Sequence, residues 1–429
     1  MRYREMLTIS IALDRAGARS LHEQLADQIS AAIDAGTLAR DARMPSTRTL
    51  ATLFGVSRGV TSAAYDLLTE RGYVHARSGS GTYVLGRKRP SVAQVRDEEK
   101  IIDMRPGLPS IEALPIKAWR AAWRQASYQA PPVSGPPMLG LPQLRSAITA
   151  HLQNTRGLVA PEHQVVVTSG LTDGLRMVLD AIASPRVAME HPAPPSLWRA
   201  PRNTPIPLQG NEIPAACGAI VVSPDGHSAT GQIMPAERRR ELAGWAEATG
   251  GRVVEVIWDN IVRADANRLP RLVTISPGTC VVGSFADLLT PAVQLGYVLL
   301  PRELTTRISH LNRPSYIMQA AAAQLITTGV ATRLTHRIGQ LRARKRGIVD
   351  SYLTTMDAAG GNALLRMGPG KQASDVAAAL LRRGVRTETL APYHFSSSRV
   401  PQALLLGYGH LPDPLLRQAL SVIMASGLL

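Results

Sequence analysis

The chain has 429 residues, of which 45% are hydrophobic, so it can hold one small domain and a larger one with its own core. Its formal net charge of +16 favours an anionic partner such as nucleic acid, although an arginine-rich proteome would explain the surplus outside the first domain equally well. No apolar run reaches the roughly 18 residues that span a membrane, and Met6–Leu13 is too short for a signal peptide. Cys217 and Cys280 lack metal-ligand spacing, so we expect a cytoplasmic protein with reduced cysteines and no metal.

The first stretch of the chain combines an alternating run with an amphipathic helix. Residues 6–13 alternate between apolar and polar positions, which predicts a strand. Ser20 and Glu23 have the spacing of a capping box, which predicts a helix start at this point. Apolar residues then recur at helical spacing as far as Gly36.

Residues 44–72 predict two short helices in succession. Ser46 is suited to cap the first helix and Gly55 to end it, while Ser57 caps the second helix and Gly72 ends it. The apolar residues of the second helix fall on one side, which leaves short polar residues and an arginine on its outward side. Such a face can enter a DNA groove, where an arginine reaches guanine edges or phosphates.

Two strand-like runs, Tyr73–Arg77 and Thr82–Leu85, follow the second helix and are joined by Ser78-Gly79-Ser80-Gly81. Two glycines in four residues favour a tight turn whose backbone can approach a ligand. A helix-turn-helix followed by such a hairpin is a winged helix, and the alternative is a three-helix packing module with an incidental hairpin. The arginines at the two tips that would face DNA favour the winged helix.

The segments MPSTRTLA, GVSRGVTSAAYDLL and RGYVHARSGSGTYV resemble the DNA-binding domain of the GntR family of bacterial transcription regulators. The resemblance implies double-stranded operator DNA as the partner, and a protein that is associated with the nucleoid when it is bound. Ser62 stands where some relatives carry a second arginine. The outward residues and the resemblance together give these candidate DNA contacts: Arg43, Ser46, Arg48, Ser57, Arg58, Gly59, Thr61, Ser62, Arg77, Ser78, Gly79 and Ser80.

We therefore predict an N-terminal winged helix-turn-helix (α+β) domain for residues 1–86, a charged linker for 87–101, and an α/β body for 102–429. Helical stretches such as Pro235–Thr249 alternate with β runs in the body, which favours a mostly parallel sheet with helices on both faces. The β runs are Gln164–Ser169, Val187–Glu190, Ala219–Ser223, Val253–Trp258, Cys280–Phe285 and Leu295–Leu300.

From about residue 341 onward, the pattern predicts a small C-terminal α+β subdomain. An arginine-rich helix comes first, and a β–α–β pattern and a final helix follow it. The cationic cluster at the start of this subdomain is expected to be a solvated helix face, with DNA contact as the alternative: Arg342, Arg344, Lys345 and Arg346.

The segments GLPSIEALPIKAWRAAWRQA, QVVVTSGLTDGL and GSFADLLTPAVQLGYVLLP resemble fold-type I aminotransferases. A GntR-type head followed by this body resembles the MocR subfamily of regulators. The resemblance implies a homodimer whose aminotransferase-like body senses an effector through pyridoxal phosphate (PLP).

PLP requires a Schiff-base lysine, a carboxylate for its pyridinium nitrogen, an aromatic ring and donors for its phosphate. None of the chain's five lysines ends a buried β run of the body: Lys88, Lys100, Lys117, Lys345 and Lys371. The positions that the resemblance assigns to the cofactor hold other residues: Asp287 for the lysine, Ala286 for a phosphate-binding serine, Gln294 for a phosphate-binding arginine, Val256 for the carboxylate, Trp258 for the tyrosine and Pro194 for the stacking ring. The run Ser169-Gly170-Leu171-Thr172 can still form an anion site at a helix N-terminus. We expect a degenerate site that has lost PLP and catalysis.

The sequence thus predicts a DNA-binding transcription regulator whose body serves dimerisation and is a candidate for sensing a small-molecule effector. The alternatives are a PLP-binding MocR regulator or PLP-dependent aminotransferase, and a dimeric repressor with an inert body. For Asp287 we expect one of two environments: a nearby arginine pairs with it and closes the pocket, or it receives the cationic group of an effector beside Trp258.

Overall fold

The computed structural model describes residues 9, 11–15, 19–39, 41–71, 73–77, 81–84, 101–130, 132–160, 163–208, 210, 212–214, 217–258, 269–308, 312–358, 361–396 and 400–427. The chain divides into two compact units, residues 1–100 and 101–429. The division falls inside the segment for which the sequence predicts a linker, and most of that segment lies outside the described residues.

The first unit is a winged helix-turn-helix. Its elements are the helices α1 Leu21–Asp34, α2 Thr47–Phe54 and α3 Arg58–Glu70 and the antiparallel strands β1 Val74–Arg77 and β2 Gly81–Val84. One residue from each of these five elements is fully buried in a common core: Leu25, Leu50, Leu68, Val74 and Val84. The hydrophobic pattern of the sequence therefore places the three helices and the hairpin correctly.

The predicted capping box at the start of α1 is confirmed. The Ser20 hydroxyl donates to the Glu23 carboxylate over 2.7 Å, and that carboxylate also accepts the Ser20 backbone N–H over 3.3 Å. The predicted strand over residues 6–13 is wrong in its described part, residues 9 and 11–13, which carry no strand. The side chain of Gln28 bonds both the N–H and the C=O of Ala12, at 3.0 and 2.7 Å, so a helix side chain takes the place of a strand partner.

The second unit is an α/β body. Its described helices are α4 Ile116–Ser127, α5 Pro142–Arg156, α6 Leu171–Ile182, α7 Pro195–Trp198, α8 Ala236–Thr249, α9 Leu272–Ile275, α10 Arg302–Thr305, α11 Tyr316–Thr327, α12 Val330–Asp350, α13 Ala373–Arg382 and α14 Asp413–Ala425, with short 3₁₀ turns at Ile111–Ala113, Pro291–Val293 and Ala391–Tyr393. Its described strands are β3 Ile102–Asp103, β4 His163–Thr168, β5 Val187–Glu190, β6 Ile206–Leu208, β7 Ala219–Val222, β8 Arg252–Trp258, β9 Cys280–Ser284, β10 Gly296–Pro301, β11 Met356–Ala358, β12 Asn362–Arg366, β13 Val385–Arg386, β14 Glu388–Thr389 and β15 Ala403–Gly407.

Seven strands form one sheet in the order β4-β10-β9-β8-β7-β5-β6. Strand β10 runs antiparallel to β4 and β9, and the other neighbouring pairs are parallel. Each β run that the sequence predicts for the body matches a strand to within one residue at either end. The predicted mostly parallel α/β sheet is therefore confirmed. Because β4, β5, β7, β8 and β9 run the same way, their carboxyl ends meet at one edge, which we call the carboxyl edge.

A smaller subdomain surrounds an antiparallel sheet with the order β11-β12-β15-β14. The long helix α12 passes through residue 341 without a break: Ile338 packs in the core of the large sheet, whereas Ile348 packs in the core of the small subdomain. Strand β3 near the start of the body pairs with β13, so Ile102 also belongs to the small core. The subdomain is thus built from both ends of the body, a long-range pairing that local sequence patterns do not reveal.

No helix among the described residues is long and apolar enough to cross a membrane. Both cysteines are buried and form no disulfide.

Candidate DNA-binding surface and the carboxyl edge of the body

Two helix N-termini form the core of the candidate DNA-binding surface. The Ser46 hydroxyl accepts the Thr49 backbone N–H over 3.1 Å at the start of α2, and the Ser57 hydroxyl accepts the Val60 N–H over 3.3 Å at the start of α3. Gly55 joins the helices with a φ of 62°, a left-handed conformation that glycine adopts without steric cost. Both predicted caps are therefore confirmed.

The outward residues at these N-termini are exposed, as the sequence predicts. Arg48 lies in the first turn of α2, and Arg58, Gly59 and Ser62 occupy the first turns of α3. A glycine and a serine leave room for close approach to a DNA groove, and the two arginines supply donors for phosphate or base edges.

Thr61 is an exception to this prediction. Its side chain is fully buried, and its hydroxyl donates to the Thr47 carbonyl over 3.0 Å and to the Arg58 carbonyl over 2.9 Å. Thr61 therefore cannot contact DNA in this conformation. It fixes the first turn of α3 against the first turn of α2.

Tyr65 has a related role that the sequence analysis missed. Its hydroxyl donates to the Pro45 carbonyl over 2.6 Å in the interior, one turn further along α3 than Thr61. In the sequence, a tyrosine on the buried side of a helix looks like any other core residue. No local pattern therefore predicts that its hydroxyl makes this hydrogen bond.

The wing lies beside Arg43. The backbone of Arg43 bridges to Tyr83, and a Cβ added at Gly81 would lie 3.2 Å from the Arg43 Nε. Gly81 has a φ of 117°, so the wing favours glycine here for its conformation. Arg77 ends β1 opposite Gly81, but its side chain and the turn residues Ser78, Gly79 and Ser80 lie outside the described residues.

The structure brings together at the carboxyl edge the positions that the resemblance assigns to PLP. Trp258 ends β8 and pairs with Ser284 at the end of β9. The Ser284 hydroxyl accepts the Ala286 N–H over 3.1 Å, and Asp287 follows directly. Pro194 precedes α7, which follows the carboxyl end of β5.

Asp287 lies near Arg342 of helix α12. Burial raises the pKa of Asp287, and the positive charge of Arg342 offsets part of that rise. Burial also lowers the pKa of Arg342, against the opposing charge of Asp287. Arg342 is therefore close enough to Asp287 for their charges to interact.

The expectation of a solvated face for the cationic cluster is wrong for half of its members. Arg342 is 8% exposed, and a Cβ added at Gly361 would lie 3.0 Å from its Nε. Lys345 is fully buried and donates to the Gly409 carbonyl over 3.0 Å. Arg344 is exposed and pairs with Asp413 at 3.0 Å. Because the helix is long, part of it runs through the interior and buries some of its cations. A run of charged residues in the sequence does not show which of them are buried.

The other positions that the resemblance assigns to the cofactor hold residues with few groups that could bind it. Val256 is 2% exposed within an apolar cluster. The Trp258 indole N–H donates to the Ser223 hydroxyl over 3.4 Å. Gln294 is exposed and has a left-handed backbone, with φ 46°.

The N-terminus of α6 already holds a carboxylate of its own helix. Asp173 accepts the Ser169 backbone N–H over 3.2 Å and the Asn312 side-chain amide over 2.9 Å. The Ser169 hydroxyl donates to the Asn312 carbonyl, and the Thr172 hydroxyl donates to the Ser196 carbonyl. Groups of this chain thus already take the Ser169 N–H and the two hydroxyls of the predicted anion site at residues 169–172.

A buried charge network lies under the carboxyl edge and was missed from the sequence. The Asp225 carboxylate accepts bonds from Arg156 at 3.2 Å, from Arg239 at 3.3 Å and from Arg271. Glu255 in β8 is fully buried, and neither of its carboxylate oxygens has a hydrogen-bond partner among the described residues. Burial first, and then the charge of Asp225, raises the pKa of Glu255 to about 7, against the three arginines.

A histidine cluster covers another part of this edge. The His191 ring lies edge-on to His394 at 4.5 Å and to Phe395 at 4.8 Å between ring centroids. Burial lowers the pKa of His191 to about 4, helped by the charges of His394 and His227. The loop that carries His394 belongs to the small subdomain, and the Trp198 indole N–H anchors it by donating to the Pro392 carbonyl over 3.1 Å.

A winged-helix head joined to a body with an aminotransferase-like sheet defines a class of DNA-binding transcription regulators. Residues 21–84 match the family described as "Bacterial regulatory proteins, gntR family". The chain is 31% identical to the HTH-type pyridoxine biosynthesis transcriptional regulator PdxR of Corynebacterium glutamicum, over 97% of this chain and 98% of that protein. It is 28% identical to the probable rhizopine catabolism regulatory protein MocR of Rhizobium meliloti, over 97% and 95% of the two chains.

The chain therefore belongs to the GntR/MocR family of transcription regulators. Among solved structures, an archaeal alanine:glyoxylate aminotransferase matches with a TM-score of 0.66 at 16% identity, over 83% of this chain and 96% of that chain. At this identity the likeness shows the fold-type I architecture alone.

Proposed function

We propose that this regulator works without PLP and without catalysis, and that its body dimerises the protein and senses an effector. The observation that carries the proposal is the neighbouring pair Asp287 and Arg342, because Asp287 stands where the family resemblance places the Schiff-base lysine. An aspartate cannot form a Schiff base, and Arg342 interacts with its charge.

The groups around this pair also disfavour the cofactor. PLP carries a phosphate dianion, and the helix N-terminus that would receive it holds the Asp173 carboxylate. Ala286 offers no hydroxyl, and Val256 presents an apolar side chain where a pyridinium nitrogen needs a carboxylate. Each substitution removes a different contact, so the residues present do not fit PLP.

Dimerisation is proposed because operators of helix-turn-helix regulators are read by two heads at paired half-sites. The body offers exposed apolar side chains that a second copy would cover, among them Val133 and Met138. Sedimentation equilibrium of the full chain tests this part, and a monomer at the concentrations used for DNA binding would refute it.

A second candidate is regulation of pyridoxine biosynthesis with a vitamin B6 compound as effector. The C. glutamicum relative carries pyridoxine biosynthesis in its name, and the 31% identity over nearly the whole chain favours this candidate. It requires a site for the B6 compound other than the one that the resemblance predicts.

One experiment separates the two candidates. The purified chain is incubated with excess PLP, reduced with borohydride, desalted and mapped by peptide mass spectrometry. We expect no stoichiometric adduct in the body, and only scattered labelling of exposed lysines such as Lys117. One equivalent of PLP at a single lysine, or one equivalent retained after desalting without reduction, would overturn the proposal.

DNA binding is tested in parallel with the promoter region of the chain's own gene. Two heads that together contact about 6–10 phosphates should lose about 10³–10⁵ in affinity between 50 and 200 mM salt. A DNA affinity that does not change with salt concentration would contradict DNA recognition by this surface.

A further inference from the structure

Helix α4, Ile116–Ser127, carries a second cationic surface, on the body. Lys117, Arg120 and Arg124 are all exposed, and their spacing of three and four residues places them on one face of the helix. We call this face the α4 basic face.

The opposite side of α4 is fixed in the interior. Ala122 is 2% exposed and packs in the core of the large sheet, with Trp119 against the same core. Ala126 is 5% exposed. The helix cannot rotate without exposing this apolar side, so the α4 basic face stays turned to solvent.

The three cations differ from several exposed arginines of the body in having no ion-pair partner among the described residues. Arg202 pairs with Asp180 at 2.9 Å and Arg344 with Asp413 at 3.0 Å, whereas the α4 basic face forms no ion pair within the part of the chain that is described. The sequence explains the difference, since the 49 residues between Glu112 and Glu162 contain no aspartate or glutamate. Three unneutralised charges on a rigid helix form a surface for a polyanion.

We propose that the α4 basic face binds the phosphate backbone of duplex DNA outside the operator half-sites that the heads read. The helix rises about 10 Å from Lys117 to Arg124, which matches about three base-pair steps of roughly 3.4 Å each along the DNA axis. The contact adds affinity that does not depend on base sequence, because phosphates carry no sequence information.

A second copy of the chain fits this face less well. Where the face lies on the axis of a twofold dimer it meets its own copy, which brings six cations together without a counter-charge. DNA supplies the missing negative charge. The proposal rests on DNA binding by the head, and the experiment separates the two.

The test uses the full-length chain and two duplexes, one limited to the operator and one with long flanks. The variant K117Q/R120Q/R124Q removes the α4 basic face. The matched control R366Q/R382Q/R417Q removes three exposed body arginines that likewise form no ion pair among the described residues, so both variants lose the same charge. Affinity is measured by fluorescence anisotropy over a range of salt concentrations, and the oligomeric state by sedimentation.

Wild type and the control should bind the long duplex more tightly and with a steeper salt dependence than the short one. The α4 variant should lose this advantage, with a slope of log K against log salt that is shallower by about 3 per protomer, and should match wild type on the short duplex. Equal behaviour of the two variants, equal losses on both duplexes, no advantage of the long duplex for wild type, or an altered oligomeric state of the α4 variant would each overturn the proposal. Failure of wild type to bind either duplex would instead refute DNA binding by the head.

Discussion

Glu255 allows a quantitative prediction about stability, because it is a fully buried carboxyl without a hydrogen-bond partner among the described residues. Its pKa is raised from 4.5 to about 7. A shift of this size corresponds to roughly 3 kcal/mol between the protonated and ionised forms at 1.36 kcal/mol per pH unit. Glu255→Gln keeps the shape of the side chain and removes the ionisation.

The sign follows from proton linkage. The folded state holds the Glu255 proton more tightly than the unfolded state, so the resulting stabilisation is complete below pH 4.5 and is lost as the pH rises through about 7. We expect the E255Q variant to match wild type near pH 4.5. At pH 8 its unfolding free energy should exceed that of wild type by up to about 3 kcal/mol.

Urea unfolding followed by tryptophan fluorescence at pH 5, 6.5 and 8 measures this difference. The control is Glu247→Gln, which removes the same charge from an exposed position on α8 and should show no comparable pH dependence. A difference between E255Q and wild type that stays constant from pH 5 to 8, or that favours wild type at pH 8, would refute the reasoning.

The remaining predictions concern both units. Thr61→Val should lower the unfolding free energy of the head by about 1 kcal/mol through the lost hydroxyl bonds, measured by thermal melting, whereas Ser62→Ala should not. Arg58→Ala should weaken operator binding by about 1–3 kcal/mol and non-specific binding much less; equal losses in competition assays would make it a phosphate contact. Asp225→Asn should cost about 3–5 kcal/mol in urea unfolding, because three buried arginines lose their counter-charge. Asp287→Lys alone should yield no stable Schiff base with PLP, and a borohydride-fixed adduct at residue 287 would show that the surrounding site is intact.

Local sequence patterns predicted most of the helices and strands and where they begin and end. Ser20, Ser46 and Ser57 cap helices as predicted, because a cap requires only a few neighbouring residues in a fixed order. Six of the seven strands of the large sheet were equally clear, since buried strands are short apolar runs, whereas the short edge strand β6 was missed. The predicted strand over residues 6–13 is wrong because alternation alone does not make a strand, which also needs a partner strand. In the described part of this run, the Gln28 side chain bonds the backbone instead.

The roles of polar side chains were harder to predict, because they depend on contacts distant in the sequence. Thr61 is a short polar residue near the start of the recognition helix, where the sequence predicts a DNA contact. Its hydroxyl instead donates a hydrogen bond to the Thr47 carbonyl in the interior. Asp225 collects arginines from positions 156, 239 and 271, which no spacing rule connects. The position of Asp287 at the carboxyl edge could be inferred from the resemblance, but its neighbour Arg342 lies on a helix 55 residues further along the chain.

The location of each cation decides whether it can contribute to DNA binding. Within residues 342–346, Arg342 and Lys345 are buried and Arg344 is paired, so this conspicuous cluster has little charge to offer a polyanion. The more widely spaced cations of α4 are exposed and form no ion pair among the described residues, and their charge is therefore available. The net charge of +16 counts buried or paired cations and exposed, unpaired cations equally. The salt dependence of DNA binding should consequently follow the exposed, unpaired cations rather than the densest basic run in the sequence.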